Sequence, residues 1–509
     1  MTWWKKLTLT HVFLIILLSV ASFLRLYNLV DTLQFQGDQG RDALIVANIF
    51  RNFDPVFIGP VTSVGNMYLG PFYYYFMMPF LWLSYPSPMG PVYAVAGLGI
   101  ITVWLLYYLG KELIGERAAL IATMFYTFAA VVIEYTRFSW NPNPAPLVSL
   151  VMIWATHRAI TKNVWYWVVV SICFSILIQL HYLTLLAGAG AGLVWLFQTW
   201  KLATTPASKK APRWASVVKL GTATGVAIIV FALSLTPLML FDYKHNWLNA
   251  TAFKNLFVKE QSFKVSNDDS LPLRIGRVLR ETHGRSLHIL AEYNLGHQRT
   301  ANTVFVIILL TIVIRQYFNQ SKSSRVGYAV VASYLLTGIM GTAVYEHTIF
   351  HHYIAYLFPV TFLLYGIAGD WLAQKTTGRL LVGGLLIIFI AINLPKLPQS
   401  QDWTVRDIRH TAEEIVTHLK PEETYTVILL SESKDIYAQN YYYFLSTTDH
   451  PPLAPEKAGD ASTLVVINEQ HLLKPMDLPI YEIVIFPNKT PSETFRIDGG
   501  PEILIFRRT

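Results

Sequence analysis

The chain has 509 residues, of which 53% are apolar, 14% aromatic and only 14% charged. Soluble domains carry roughly a quarter charged residues, so this composition excludes an ordinary soluble protein and turns most of the chain toward lipid. A net charge of +8 would suit nucleic acid, but Lys and Arg on the cytoplasmic loops of a membrane protein give the same excess; the expected partner is a lipid bilayer, not nucleic acid.

The N-terminus places Lys5 and Lys6 before the apolar run Leu7 to Leu24. Arg25, Tyr27 and Asn28 follow it where a cleavage site would need small residues, so we expect an uncleaved first span. Further apolar runs are Pro91 to Leu109, Ala118 to Ile133, Pro146 to Ala159, Trp165 to Leu180, Leu183 to Trp200, Leu220 to Leu240, Ala301 to Ile314, Val326 to Val344, Tyr353 to Ala368 and Leu380 to Leu394. That predicts about eleven membrane helices. Lys111, Arg117, Arg158, Lys162, Lys201, Lys209, Lys210, Arg213, Lys219, Arg315, Lys322, Arg325, Lys375 and Arg379 all fall in every second loop, which puts those loops and the N-terminus in the cytoplasm. The other connections are then external: 27–90, 134–143, His181 with Tyr182, 241–300 and 345–352. Calling Gly70 to Tyr85 a span would invert every later loop. We read it as an interfacial helix, with Tyr73, Tyr74, Tyr75 and Trp82 at headgroup depth.

The fold class expected is therefore a polytopic α-helical membrane protein with outer interfacial helices and a small C-terminal α/β domain. Residues 1–398 form the transmembrane domain and 399–509 the external soluble one. In the latter, Val405 to Leu419 has helical spacing, while Thr424 to Leu430, Leu464 to Asn468, Tyr481 to Phe486 and Glu502 to Phe506 look like strands. The single cysteine, Cys173, excludes an intramolecular disulfide.

Ionisable residues avoid the middle of the spans and gather at their outer ends, the opposite of what a transporter needs. Phe35-Gln36-Gly37-Asp38-Gln39-Gly40-Arg41-Asp42 opens a short helix with Asp38 and Asp42 one turn apart on one side. The plainer account makes Asp38 an N-cap and Arg41 its surface partner. Glu134 to Pro144 holds Arg137, a planar fork suited to phosphate, together with Asn141 and Asn143; the alternative is an interfacial anchor. His181 and Tyr182 end a span at the same level, where a lone His is commonly structural. Asp242, Lys244 and His245 follow another span, and Glu346, His347, His351, His352 and Tyr353 form a late cluster. Without an established ligand spacing, a divalent metal there is the minority reading, and no cofactor is called.

The order of these features resembles the GT-C superfamily of glycosyltransferases. The similarity is to the phospholipid-carrier-dependent group related to protein O-mannosyltransferases and lipid A aminoarabinose transferases. It covers the layout of roughly the first 390 residues, most clearly Leu24 to Asn143. Asp38 matches the family's acidic residue, with Gln39 in place of its acidic neighbour. Leu69-Gly70-Pro71 followed by Phe72 and tyrosines resembles its His-Pro-Pro stretch, without the His. Thr136-Arg137 through Pro142-Asn143 resembles its Ser-Arg and Pro-Asp motif, with Asn143 replacing Asp. His351-His352-Tyr353 to Pro359 is similar to its late His-Tyr and Pro.

The resemblance implies a prokaryotic plasma-membrane enzyme moving a sugar from a polyprenyl-phosphate donor to a lipid, glycan or protein hydroxyl at the outer face, with inversion. Asp38 is the expected base. Arg41, Asp42, Arg137, Asn141, Asn143, His181, Tyr182, His351, His352 and Tyr353 are candidates for the donor phosphate or substrate, and Tyr73 to Tyr75 with Trp140 for the prenyl tail or sugar. The competing classes are a lipid-linked-sugar flippase and a noncatalytic envelope assembly protein.

Overall fold

A computed structural model of the chain describes residues 8–62, 67–204, 213–258, 271–345, 348–432 and 435–508. Lys5, Lys6, Lys209, Lys210, Glu346 and His347 lie outside the described residues. In chain order the helices are Leu9–Leu26 (α1), Gly37–Asn52 (α2), Phe72–Ser84 (α3), Met89–Ile114 (α4), Glu116–Phe128 (α5), Ala130–Glu134 (α6), Ala145–Thr161 (α7), Tyr166–Leu180 (α8), Leu185–Thr204 (α9), Arg213–Ser234 (α10), Thr236–Lys244 (α11), Leu248–Val258 (α12), Leu271–Leu287 (α13), Tyr293–Leu295 (α14), Arg299–Asn319 (α15), Ser324–Ala343 (α16), Phe358–Leu372 (α17) and Thr376–Asn393 (α18). The small domain adds Val405–Thr417 (α19), strand Tyr425–Leu430 (β1), Gln439–Leu445 (α20), Thr463–Asn468 (β2), Tyr481–Ile485 (α21), Glu493–Arg496 (β3) and Glu502–Arg507 (β4).

Among the described residues, 8 helical segments are long and apolar enough to cross a membrane. The chain is a multi-pass integral membrane protein. Three expected spans are shorter than that. One is interrupted where Ala129 turns extended between α5 and α6; the others are α7 and α8. At the centre stands α17, buried continuously from Phe358 to Gly369. It approaches α5 through small residues: a Cβ on Gly366 would strike the Ala118 carbonyl. Without a hydrophobic drive between helices in lipid, such backbone proximity supplies the packing energy. The outer helices instead present Ile228, Leu233, Leu380 and Ile387 outward.

The described connections gather at two ends of the bundle. At one, Arg158 pairs with Glu112 at 2.5 Å and Arg117 with Asp370. At the other, the connections expected on the opposite side meet one another. Arg137 reaches the backbone of Leu24 and Tyr27, Asn249 exchanges hydrogen bonds with the Tyr68 backbone, and His181 packs on Tyr353. Asp242, from the 241–300 connection, caps α12 through the amides of Asn249 and Ala250.

The Gly70 to Tyr85 segment is the helix α3, but only part of its aromatic face is available to lipid. Tyr75 and Trp82 are exposed, whereas Tyr73 and Tyr74 are buried in protein, their hydroxyls bonded to Ser139 and Asp42. A buried phenol needs such a partner, and these two find theirs inward, away from headgroups.

The small domain holds a four-stranded sheet of order β1-β2-β4-β3, with β1 and β2 parallel and the other pairs antiparallel. One face packs Val427, Leu429, Val465 and Ile467 toward α19 and α20; the other packs Ile428, Leu430, Leu464 and Val466 under α21. Three of the four expected strands are present. Tyr481 to Phe486 is instead α21, bounded by Pro479 and Pro487. Its burial repeats at Glu482, Ile483 and Phe486 while Tyr481 and Val484 are exposed, a helical period that the β-branched composition concealed. The fourth strand is β3.

Candidate active site

The N-terminus of α2 is where the small domain meets the bundle. Gly37 and Gly40 lie on the α2 face turned to α20. A Cβ on Gly37 would strike the Asp435 carboxylate, and one on Gly40 would strike the Gln439 carbonyl. The Val405 amide donates to the Leu33 carbonyl at 2.8 Å, and Arg406 pairs with Asp31 at 2.8 Å. Phe35 inserts its ring against Tyr443 and Phe444. These contacts fix the first turn of α2 from two sides.

On that turn, Gln36 is the N-cap and Asp38 lies inside the helix, a correction to the capping account of Asp38. A carboxylate there still gains from the helix dipole. Arg41 donates to Asp38 Oδ1 at 2.6 Å and to Asp42 Oδ1 at 2.7 and 3.0 Å, bridging the two carboxylates. Their environments differ sharply. The Asp38 side chain is 53% exposed and that of Asp42 1%. Burial pushes the Asp42 carboxyl up to about 6 against the pull of Arg41, while Tyr74 donates to it at 3.2 Å. Burial also opposes the charge on Arg41, but Asp42, Tyr74 and Asp38 outweigh it and hold the guanidinium protonated. Asp42 therefore anchors Arg41, and Arg41 orients Asp38.

Two clefts share a wall made of Gln34, Gln36 and Asp38. The first, about 440 Å3, runs toward the bundle and is also lined by Gln39, Glu134, Tyr135, Arg137, Phe138, Trp140, Lys396 and Gln401. The second, about 910 Å3, runs toward the small domain. A third, about 280 Å3 and almost wholly apolar, lies between α15, α17 and α18. It includes Ile392, one helical turn before Lys396.

Among the expected residues, Asp38, Arg41 and Asp42 are joined directly, and Asp38 and Arg137 share the first cleft. The Arg137 fork is already engaged. Nη1 donates to the Leu24 carbonyl, and Nη2 to the Tyr27 carbonyl and Thr32 Oγ1, all at 2.8 to 2.9 Å, closing the carbonyl end of α1. Asn141 donates to the Leu180 carbonyl at 2.6 Å and Asn143 to the Phe138 carbonyl at 2.8 Å, so both shape their loop. His181, Tyr182, His351, His352 and Tyr353 line neither the first nor the second cleft. His181 packs at a tilt against Tyr353, and burial pushes it down to about 3, leaving it neutral. Tyr182 donates to the Tyr68 carbonyl, and His351 stacks on His288. His352 packs 4.4 Å from Trp140 and so backs the wall of the first cleft. Among the described residues no group of three His, Cys, Asp or Glu side chains is placed to hold a metal ion.

Sequence reasoning missed Lys396, which lines the first cleft and donates to the Asn294 carbonyl at 3.3 Å. One signal was available: a lysine after the last span, between Pro395 and Pro398, on the side the positive-inside rule leaves poor in cations. It also missed Arg25, 0% exposed near the end of α1, with Nε and Nη2 unpartnered.

No curated protein sequence matches the chain. Residues 70–240 match the family model described as dolichyl-phosphate-mannose-protein mannosyltransferase. ArnT from Cupriavidus metallidurans bound to undecaprenyl phosphate is similar to this chain at TM-score 0.58 and 12% identity, over 97% of each chain. Its apo state gives the same score over 98% of each. The archaeal oligosaccharyltransferase AglB from Archaeoglobus fulgidus, with dolichol phosphate and an inhibitory peptide, gives 0.48 and 14% identity over 93% of this chain and 71% of that one. The chain thus has the GT-C fold seen in ArnT, and within it residues 70–240 carry the sequence pattern of that mannosyltransferase family.

Proposed function

We propose that this protein is a glycosyltransferase of the outer membrane face, transferring a hexose or pentose from a polyprenyl-phosphate donor to a hydroxyl acceptor with Asp38 as general base. The observation that carries the proposal is the position of Asp38: a half-exposed carboxylate held by Arg41 at the wall common to two clefts. A base between a donor and an acceptor needs that placement.

The donor occupies the first cleft. Its phosphate meets Lys396, and Arg137 adds charge while holding the wall. Lys396 is the stronger phosphate candidate, because its ammonium spends one of three donors on a carbonyl, whereas Arg137 spends three of five on Leu24, Tyr27 and Thr32 and its unpartnered Nε is buried. The prenyl chain descends along α18 into the apolar cleft below. The acceptor oxygen forms a bond to the anomeric carbon as the bond from that carbon to the phosphate oxygen breaks. The hydroxyl proton passes to Asp38, and the electron pair leaves with the polyprenyl phosphate, whose charge the cations meet. A single displacement of this kind inverts the anomeric centre.

The test is transfer of labelled sugar from a panel of polyprenyl-phosphate sugars by the full chain in lipid nanodiscs, with Asp38→Asn alongside. Turnover by the native protein and its loss in a folded variant support the proposal. Equal turnover by both rejects Asp38 as base.

A further inference from the structure

The second cleft has a composition of its own. Besides the shared wall it is lined by Trp403, Tyr437, Asn440 and Glu469, and by the charged Arg41, Glu432 and Asp435. It opens at the carboxyl ends of the parallel strands β1 and β2, where Leu429 lies near the end of one strand with Ser431 just beyond it, and Glu469 and Gln470 follow the other. The carboxyl ends of parallel strands are where open α/β sheets bind ligands. At about 910 Å3 it falls in the upper part of the range of roughly 300–1,000 Å3 that holds small molecules.

Its chemistry selects an occupant. Four carboxylates, Asp38, Glu432, Asp435 and Glu469, face one cation, Arg41, which Asp38 and Asp42 already hold. An anionic acceptor would be repelled. Amides and carboxylates in alternation suit vicinal hydroxyls, which both donate and accept, while Trp403 and the exposed Tyr437 offer flat faces for the C–H side of a sugar ring. Asn440 supplies a second, independent sign. It is 8% exposed, lines the cleft, and its Oδ1 has no hydrogen-bond partner. Buried amide oxygens are ordinarily satisfied, and a ligand hydroxyl would satisfy this one.

We infer that the second cleft is the acceptor site and that the acceptor is an uncharged glycan. This rests on the proposed transferase reading, which supplies the donor on the other side of Asp38. One hydroxyl of the bound glycan reaches Asp38 over the shared wall, loses its proton there and becomes the new glycosidic oxygen, while polyprenyl phosphate departs through the first cleft.

The experiment uses the full chain in nanodiscs and two readouts. One is hydrolysis of the polyprenyl-phosphate sugar by water, which needs the donor cleft and Asp38 but no acceptor. The other is binding of neutral manno-, gluco- and N-acetylglucosamine oligosaccharides by saturation-transfer NMR, beside a sulfated oligosaccharide and a Ser/Thr peptide. Expected are binding of a neutral oligosaccharide, weakened at least tenfold by Tyr437→Ala and by Asn440→Leu, and donor hydrolysis by the exposed Tyr437→Ala variant within twofold of the native rate. Asp38-dependent hydrolysis without cleft-dependent binding of a neutral glycan overturns the inference alone, as does cleft-dependent binding of the peptide or the sulfated sugar in its place. Hydrolysis indifferent to Asp38→Asn overturns the transferase reading and the inference with it.

Discussion

Gly40 lies so close to the backbone of Asn440 that a Cβ placed on it would come within 2.6 Å of the Asn440 Cα. Four hundred residues apart, the two join the turn that carries Asp38 to the helix that lines the second cleft. A side chain at position 40 cannot be absorbed by rotamer changes, since what it meets is main chain. Gly40→Ala should therefore lift α20 from α2, costing about 1–3 kcal/mol as overpacking does and lowering transfer far more than Gly97→Ala, whose Cβ meets nothing within 4 Å. Thermal unfolding in nanodiscs and labelled-sugar transfer check both halves; equal behaviour of the two variants would refute the docking role.

The buried carboxyl of Asp42 gives a pH signature. Its ordinary value is 3.8 and burial raises it to about 6, so the folded protein holds this proton more tightly than the unfolded chain. Relative to Asp42→Asn, the native protein loses stability as pH rises from about 4 to about 6 and shows no further change above. A shift of about 2 units corresponds to roughly 3 kcal/mol. The difference in Tm between the two proteins, followed from pH 4 to 8, should trace that window, and a flat difference would count against the assignment.

Lys396 and Arg137 should separate by kind of effect. Lys396→Met removes a phosphate donor and should lower kcat/KM for the polyprenyl donor about tenfold or more with Tm nearly unchanged. Arg137→Met leaves the carbonyls of Leu24 and Tyr27 without their donor and should lower Tm by several degrees. Steady-state kinetics beside thermal unfolding decide the matter.

Arg25 is fully buried at the end of α1, and two of its nitrogens have no partner. A charge held this way is costly, so Arg25→Met should stabilise the fold by about 1 kcal/mol or more. A fall in Tm would show that the charge has a counterpart in the membrane-embedded protein.

The sequence by itself determined the helices, because an apolar run in lipid has no other way to satisfy its backbone. The short loops rich in Lys and Arg divide the connections into two groups by a local count of charge. The pairing of Asp38 with Asp42 across one turn around Arg41 was legible for the same reason: helical spacing acts over four residues. Tyr481 to Phe486 was misread because a short β-branched run fits two periods, and the choice fell to packing under the sheet. What only the tertiary structure decided is the company Asp38 keeps. Lys396, Asn440, Asp435 and Glu469 arrive from elements more than 350 residues away, and the sharing of one wall by two clefts follows from the close approach of Gly37 and Gly40 to α20. No local pattern encodes that approach, because it depends on which distant backbones can touch.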